Sequence, residues 1–188
     1  NLRSKLQTDP MIRNIYQAIK LNANAVMQKE LISVDIPENP RSQRNQLGIS
    51  RDFLHRMNML SMVYRIDKDE EILQKINDEV VAACNFPTWN PRHFLDVGEM
   101  SLAIALALDW TAGDLPKSTV ELAKNALVEK GIKTSWPENG ETPSWVYRDN
   151  NWNQVCNAGM IAASIAVFES EPELAAKTIS RSIDGMNN

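Results

Sequence analysis

Residues 149–169 have the sequence DNNWNQVCNAGMIAASIAVFE, which combines a polar cluster with a run of small residues. The stretch begins with four carboxamides around one aromatic residue, Asn150-Asn151-Trp152-Asn153-Gln154, and continues as a run rich in Ala and Gly. Asn is a favoured N-cap residue because its side chain accepts hydrogen bonds from the first free amides of a helix. The pattern therefore predicts a closely packed helix with a polar N-terminus. It is compatible with a plain cap on a buried helix, but four carboxamides exceed what one cap requires.

The composition predicts one globular domain, or part of a larger one, with a sizeable core. The chain has 188 residues, of which 43% are hydrophobic. A net charge of −4 without a long basic run argues against non-specific nucleic-acid binding. The apolar run Ala103–Leu108 is far too short to span a membrane. Cys84 and Cys156 lack metal-ligand spacing, so we expect buried free thiols, although their pairing is left open. The sequence indicates no metal and no cofactor.

Helical periodicity and cap residues predict seven helices. Between the first two lies a polar loop, 36–44, in which Arg41 and Arg44 are expected to be solvated rather than bound to an anion. Gly131 is predicted to cap the fifth helix. The predicted ranges run from Asp9-Pro10 to about Leu31, from Ser50 to Ile66, Glu70–Ala83, Leu95–Trp110, Lys117–Lys130, Asn151–Glu169 and Glu173–Met186.

Three of these helices begin similar helical pairs. Each is apolar, ends near an aromatic residue (Tyr64, Trp110 or Phe168), and is followed by an acidic turn and a more polar helix. Repeated helical pairs indicate a solenoid or a ring of hairpins. The contrast in polarity favours an apolar inner layer wrapped by an outer one, so we predict an all-α, incomplete (α/α) toroid. Loops preceding the inner helices would meet on one rim, and their aromatic residues suit sugar binding: Trp89, Trp136, Trp145 and Trp152.

Two stretches together resemble the toroidal domain of the heparinase II/III-like polysaccharide lyases, which include alginate and oligoalginate lyases. They are NFPTWNPRHFLDVGEMSLAIALALDW and NNWNQVCNAGMIAASIAVFE, and the similarity extends over most of residues 1–188. It implies an incomplete toroid that is followed in the family by a β-sandwich absent from this chain. It also implies a periplasmic or secreted protein. The chain alone would then be an inactive, truncated toroid, and exposed apolar inner helices would favour self-association.

The resemblance also implies a chemistry, β-elimination at a uronic acid in an acidic polysaccharide. Asn151 matches the Asn that neutralises the substrate carboxylate in these lyases. In some relatives the next residue is a catalytic His, whereas this chain has Trp152, and the family's catalytic Tyr would lie beyond the last residue. The predicted substrate-binding residues are grouped around the same rim: Asn150, Trp152, Gln154, Trp89, His93 and Trp145.

Two other functions remain open at the level of the sequence. A toroidal glycoside hydrolase would use a pair of carboxyls, for which Asp96, Glu99 and Asp109 are the candidates. A non-catalytic helical scaffold that binds protein or glycan would need neither carboxyls nor a proton acceptor. For His93, a structural role at the start of the fourth predicted helix is as well supported as a place in the cleft, and His55 is expected to be structural.

Overall fold

The computed structural model describes residues 2–34 and 46–187, and these residues form an all-helical fold without a β-strand. This confirms the predicted all-α class. Short 3₁₀ turns occur at Pro91–His93, Lys133–Ser135 and Ser144–Tyr147. The α-helices in the described residues are α1 Leu2–Thr8, α2 Pro10–Met27, α3 Gln46–Asp67, α4 Glu70–Cys84, α5 Leu95–Thr111, α6 Lys117–Ala126, α7 Asn151–Val167 and α8 Pro172–Met186.

The helix starts follow their cap residues more closely than the helix ends do. Asp9 caps α2, as predicted, by accepting hydrogen bonds from the amides of Met11 and Ile12. The same helix ends at Met27 rather than near Leu31. The sequence did not predict α1, and α3 begins four residues before the expected Ser50. The predicted loop 36–44, with Arg41 and Arg44, lies outside the described residues.

Gly131 does not cap a helix, contrary to the sequence prediction. The α-helical geometry of α6 ends at Ala126, and a π-helical turn then runs from Leu127 to Ile132 with Gly131 inside it. A Cβ atom at Gly131 would lie 2.9 Å from the Ser101 hydroxyl and 3.6 Å from the Trp89 ring. The absence of a side chain at Gly131 therefore leaves room for the Ser101 hydroxyl of α5.

The helices are arranged in two layers, an inner one of α3, α5 and α7 and an outer one of α4, α6 with its π turn, and α8. Helix α5 lies between α3 and α7 and makes its most extensive contacts with these two helices. Helices α3 and α5 run parallel, because Arg51 and Glu99 meet near their N-termini and Arg65 and Asp109 meet near their C-termini. Helix α7 runs in the same direction, because Trp152 at its start contacts His93 just before α5, whereas Ile165 near its end lines the same cavity as Asp109. Helix α4 packs on α3 and α5, the π turn after α6 packs on α5 and α7, and α8 packs on α7. Each loop that precedes an inner helix therefore reaches the same end of the layer.

Helices α5 and α7 approach each other most closely at a pair of glycines. A Cβ atom built on Gly159 would lie 2.6 Å from Gly98 Cα and would also collide with the Gly98 carbonyl. In the other direction, a Cβ on Gly98 would lie 3.2 Å from Cys156 Cα. The contact is therefore between backbones, which confirms that the small residues of 149–169 allow close helix packing.

A cation from each of three helices or turns donates to a backbone carbonyl at the end of an earlier helical segment or, for α2, two residues after it. Lys75 Nζ donates to the Lys29 carbonyl at 2.6 Å, Lys130 Nζ to the Cys84 carbonyl at 2.6 Å, and Arg181 Nη1 to the Ser135 carbonyl at 2.6 Å; partners are 46 residues apart each time. The last carbonyls of a helix have no intrahelical partner and carry partial negative charge. The contact thus recurs with each helical pair. The spacing of the aromatic residues in the sequence only suggested this repeat.

The surface of the last helical pair is partly apolar. Ile165 is 64% exposed, and Phe168 and Ile183 are each nearly half exposed. The predicted self-association remains a prediction.

Within residues 2–34 and 46–187, no helix combines the length and apolar character needed to cross a bilayer.

Candidate functional site

The N-terminal ends of α3, α5 and α7 and the loops that precede them form a charged and aromatic surface, which we call the N-terminal rim. It carries Arg51, His93, Glu99, Arg148 and Trp152. Arg51 Nε donates to Glu99 Oε1 at 3.2 Å, which links α3 to α5. Glu99 also accepts a hydrogen bond from Ser50 at 3.4 Å. Neither Arg51 nor Arg148 was singled out from the sequence.

His93 is held against the start of α5 by a buried carboxylate. Its Nδ1 lies 2.9 Å from Asp96 Oδ1, and the Asn90 side-chain amide donates to Asp96 Oδ2 at 2.7 Å. Asn90 has φ 56°, a left-handed conformation that Asn tolerates better than most residues. This backbone turn places Asn90 and His93 on the two oxygens of the same carboxylate. Asp96 is only 1% exposed.

Trp152 joins His93 to the residues that precede α7. The two rings meet edge to face with centroids 4.9 Å apart, and the Arg148 guanidinium lies 5.4 Å from the Trp152 ring centroid. The Trp152 backbone amide donates to Asn150 Oδ1 at 3.0 Å. Trp152 is partly buried. The ring contact brings Trp152 and His93 together at the rim, and their predicted role in substrate binding stays a prediction.

The carboxamides divide into structural and exposed groups. Asn150 is the N-cap of α7. Asn153 donates to the carbonyls of Val146 and Gly185, and Asn157 also donates to Val146. These bonds fix the preceding loop and α8 against α7. Asn150, Asn151 and Gln154 are exposed, but Asn150 Oδ1 already caps α7, so Asn151 and Gln154 are the carboxamides most open to a ligand.

Trp89 and Trp145 are buried and do not lie open on the rim as the sequence analysis expected. Trp89 is 2% exposed, and its Nε1 donates to the Ala83 carbonyl at 3.1 Å. Trp145 is 5% exposed and stacks on Phe94 with centroids 4.4 Å apart. Stacking on a sugar needs an open ring face, so their placement does not support the predicted binding role. Loop aromatic residues point inward here because the core takes up their apolar area.

Glu99 lies at one side of a small cavity between the inner helices. The cavity has a volume of about 270 Å³ and is lined by Leu54, Gly98, Glu99, Leu102, Gln154 and Ala158. Burial raises the pKa of the Glu99 carboxyl, with a further contribution from nearby Asp96, and these effects outweigh the opposing bonds from Arg51 and Ser50. The carboxyl therefore takes up a proton more readily than an exposed glutamate does.

We expect Glu99→Gln to flatten part of the pH dependence of stability. A carboxyl whose pKa is higher in the folded than in the unfolded state stabilises the fold when it is protonated. This stabilisation is complete below the pKa of the unfolded state and is lost as the pH rises through the pKa of the folded state. The unfolding free energy of the variant, relative to the unmodified chain, should therefore increase from about pH 4 to pH 7. Urea unfolding at several pH values measures this difference. A difference that is constant with pH would contradict the prediction.

The carboxyls do not form the pair that a glycoside hydrolase requires. Such pairs stand less than about 10 Å apart across a cleft. Asp96 is buried and accepts two hydrogen bonds, whereas Asp109 lies 13 residues further along α5, roughly 20 Å away at the rise of a helix. The geometry therefore leaves Glu99 without a suitable second carboxyl among these candidates.

The cysteines show no sign of reactivity. Cys84 and Cys156 are free and buried, and burial raises the pKa of each thiol to about 12. Within the described parts of the chain, no group of three or more His, Cys, Asp or Glu side chains is placed to hold a metal ion.

No protein-family model matches this chain, and no curated protein matches it significantly in sequence.

Proposed function

We propose that this chain forms the toroidal, uronate-binding part of a polysaccharide lyase that cleaves acidic glycans by β-elimination. The observation that carries the proposal is the composition of the N-terminal rim. Two exposed carboxamides, Asn151 and Gln154, follow Arg148 in the chain, and Trp152 between them contacts both Arg148 and His93. The parallel hairpins in two layers are the arrangement from which an incomplete toroid would be built.

The rim offers the groups that binding and activating a uronate require. The C5 proton of a uronate is weakly acidic because it is α to a carboxylate, and its removal places more negative charge on that carboxylate. Asn151 can donate hydrogen bonds to the carboxylate without carrying charge. As the first residue of α7 it also lies in the positive potential of the helix N-terminus. Preorganised donors of this kind stabilise charge that develops in the transition state.

Arg148 and Trp152 give the rim selectivity for an acidic sugar. Arg148 supplies a positive charge next to the Asn151 position, and the exposed part of Trp152 provides an aromatic surface for a pyranose ring. Gln154 also lines the cavity between α3, α5 and α7, so a bound chain can continue from the rim into that cavity. The same proposal implies a periplasmic or secreted location for the protein.

Replacing Asn151 by Ala tests the proposal. In the whole protein of which this chain is part, we expect a loss of about 10²–10³-fold in kcat on a uronate polymer such as alginate. Ultraviolet absorbance of the unsaturated uronate product measures the rate. Asn151 is exposed and is not the N-cap, so the variant should keep the thermal stability of the unmodified protein.

Asn125→Ala is the matched control, because Asn125 is an exposed carboxamide on α6, outside the inner layer. Its activity should be unchanged. Absence of an unsaturated product from every uronate polymer, with Asn151 intact, would rule the lyase function out. Release of reducing ends without the chromophore would indicate a hydrolase instead.

A further inference from the structure

Helix α2 has a second apolar stripe on its exposed side. Its core-facing side includes Tyr16, Ala23 and Val26, which are buried. The residues of the second stripe are spaced four and three apart, so they lie on one side of the helix, and none of them is charged. A helix that is apolar on two sides is typical of one that packs against a partner on each. All members of this α2 stripe are exposed: Met11, Ile15, Ala18, Asn22 and Ala25.

Helix α8 has a matching stripe at the other end of the array. Helix α2 makes its main contacts with α3 and α1, whereas α8 packs on α7 and the turn before it, so the two helices lie at opposite ends. In α8, Ile183 is 46% exposed and Met186 is 38% exposed. The α8 stripe has three- and four-residue spacing and consists of Ala176, Ile179, Ile183 and Met186.

The charges that flank the two stripes have opposite signs. Residues 2–27 contain four cations, of which Lys20 pairs with Asp67, and a single acid. Residues 168–187 contain four acids and two cations, and both cations, Lys177 and Arg181, lie over the Trp136 ring. Complementary potentials favour the contact of unlike surfaces and disfavour that of like surfaces. A second copy of the α8 end therefore fits the α2 end better than a second α2 end does.

We propose that copies of this chain associate head to tail, with the α2 stripe of one copy packed on the α8 stripe of the next. Such a contact joins two different surfaces, so the copies either close into a ring or continue as an open chain. It places between copies the helix-on-helix packing that α2 and α8 each make within one copy. The inference is independent of the lyase function, because it concerns the two ends of the array and not the N-terminal rim.

A charge placed on one stripe at a time tests the contact. We expect Ile15→Glu on α2 and Ile183→Lys on α8 each to raise the dissociation constant of the 188-residue chain by about tenfold or more, because an unpaired charge in an apolar contact loses its hydration. Each variant keeps one stripe intact, so a mixture of the two should restore a one-to-one complex. Light scattering after size-exclusion chromatography measures the mass of each sample at micromolar to millimolar concentrations.

Asn125→Glu and Asn125→Lys are the matched controls. They introduce the same charges at an exposed position of α6, outside both stripes, and should leave the association unchanged. If only Ile15→Glu dissociates, α2 packs on α2, and if only Ile183→Lys dissociates, α8 packs on α8. Either result overturns the proposal. A chain that stays monomeric at every concentration also overturns it, because the stripes would then serve a different partner.

Crosslinking decides the question should a charged variant not fold. A mixture of Ile15→Cys and Ile183→Cys should form a disulfide that joins one copy of each variant. Cys84 and Cys156 are buried and would not compete. Absence of this mixed disulfide under oxidising conditions, with both variants folded, would overturn the proposal.

Discussion

Replacing Gly159 by Ala is expected to destabilise the fold by about 3 kcal/mol or more, because the added methyl group meets backbone atoms of another helix. The new Cβ would lie 2.6 Å from Gly98 Cα and 2.7 Å from the Gly98 carbonyl carbon. A flexible side chain could move away, but here α5 and α7 would have to separate along their contact. Such a separation would reduce the burial of neighbouring side chains such as Met160, which is fully buried.

Equilibrium unfolding in urea at neutral pH measures this effect. Gly48→Ala is the matched control: Gly48 is also in a helix, and a Cβ there would meet no atom within 4 Å. Because Ala is the better helix former, the control should be stabilised by about 0.5–1 kcal/mol. If Gly159→Ala unfolds at the same urea concentration as the unmodified chain, the close approach of α5 and α7 is wrong.

Replacing Arg56 by Met is expected to cost about 3–5 kcal/mol, since it leaves a buried carboxylate without its principal partner. Arg56 Nη1 lies 2.7 Å from Glu79 Oε1, and the Glu79 side chain is fully buried. Arg56 also donates to the Glu30 carbonyl at 2.7 Å and pairs with Asp52 at 2.8 Å. In the variant, the partners that Glu79 would retain among the described residues are Lys75, at 3.5 Å, and the Ile32 amide.

The exposed pair of Arg65 and Asp109 provides the comparison. Its atoms are 3.9 Å apart, and both side chains are more than half exposed. Surface pairs of this kind contribute about 0–1 kcal/mol, so Arg65→Met should be nearly neutral. Thermal and urea unfolding of both variants measures the two costs. Similar costs for Arg56→Met and Arg65→Met would show that the Arg56 pair is not buried as the structure has it.

The sequence predicted best what depends on local chemistry. Asp9 and Asn150 cap α2 and α7, as the preference of Asp and Asn for N-caps indicated. The helical periodicity correctly predicted an all-α fold, whereas the closure of the helical pairs into a toroid stays a prediction. The pairing of His93 with Asp96 spans three residues at a helix start, so a search for His and Asp at that spacing could have found it.

The rest of the candidate site depends on contacts between distant residues. Arg51 and Glu99 are 48 residues apart, and nothing in either local sequence indicates their bond. The directions of Trp89 and Trp145 are set by the partners that bury them, Ala83 and Phe94, and not by their positions in polar, proline-containing loops. The composition of the loops therefore indicated the position of the rim, but it did not indicate which aromatic rings are exposed to solvent.

The cations that bind the ends of outer helices connect the repeats energetically. Lys130 and Arg181 each bind the last residue of an earlier helical segment, and Lys75 binds the chain two residues after α2. In a linear array whose stability is a sum of unit and nearest-neighbour contributions, bonds of this type belong to the neighbour term. Loss of α8 would thus also remove the hydrogen bond from Arg181 to the Ser135 carbonyl. The segment that ends at Ser135 would then unfold more easily, and the destabilisation would extend toward the N-terminus. The loops of the rim are consequently held by units that fold together, so the geometry of the site depends on the cooperativity of the whole array.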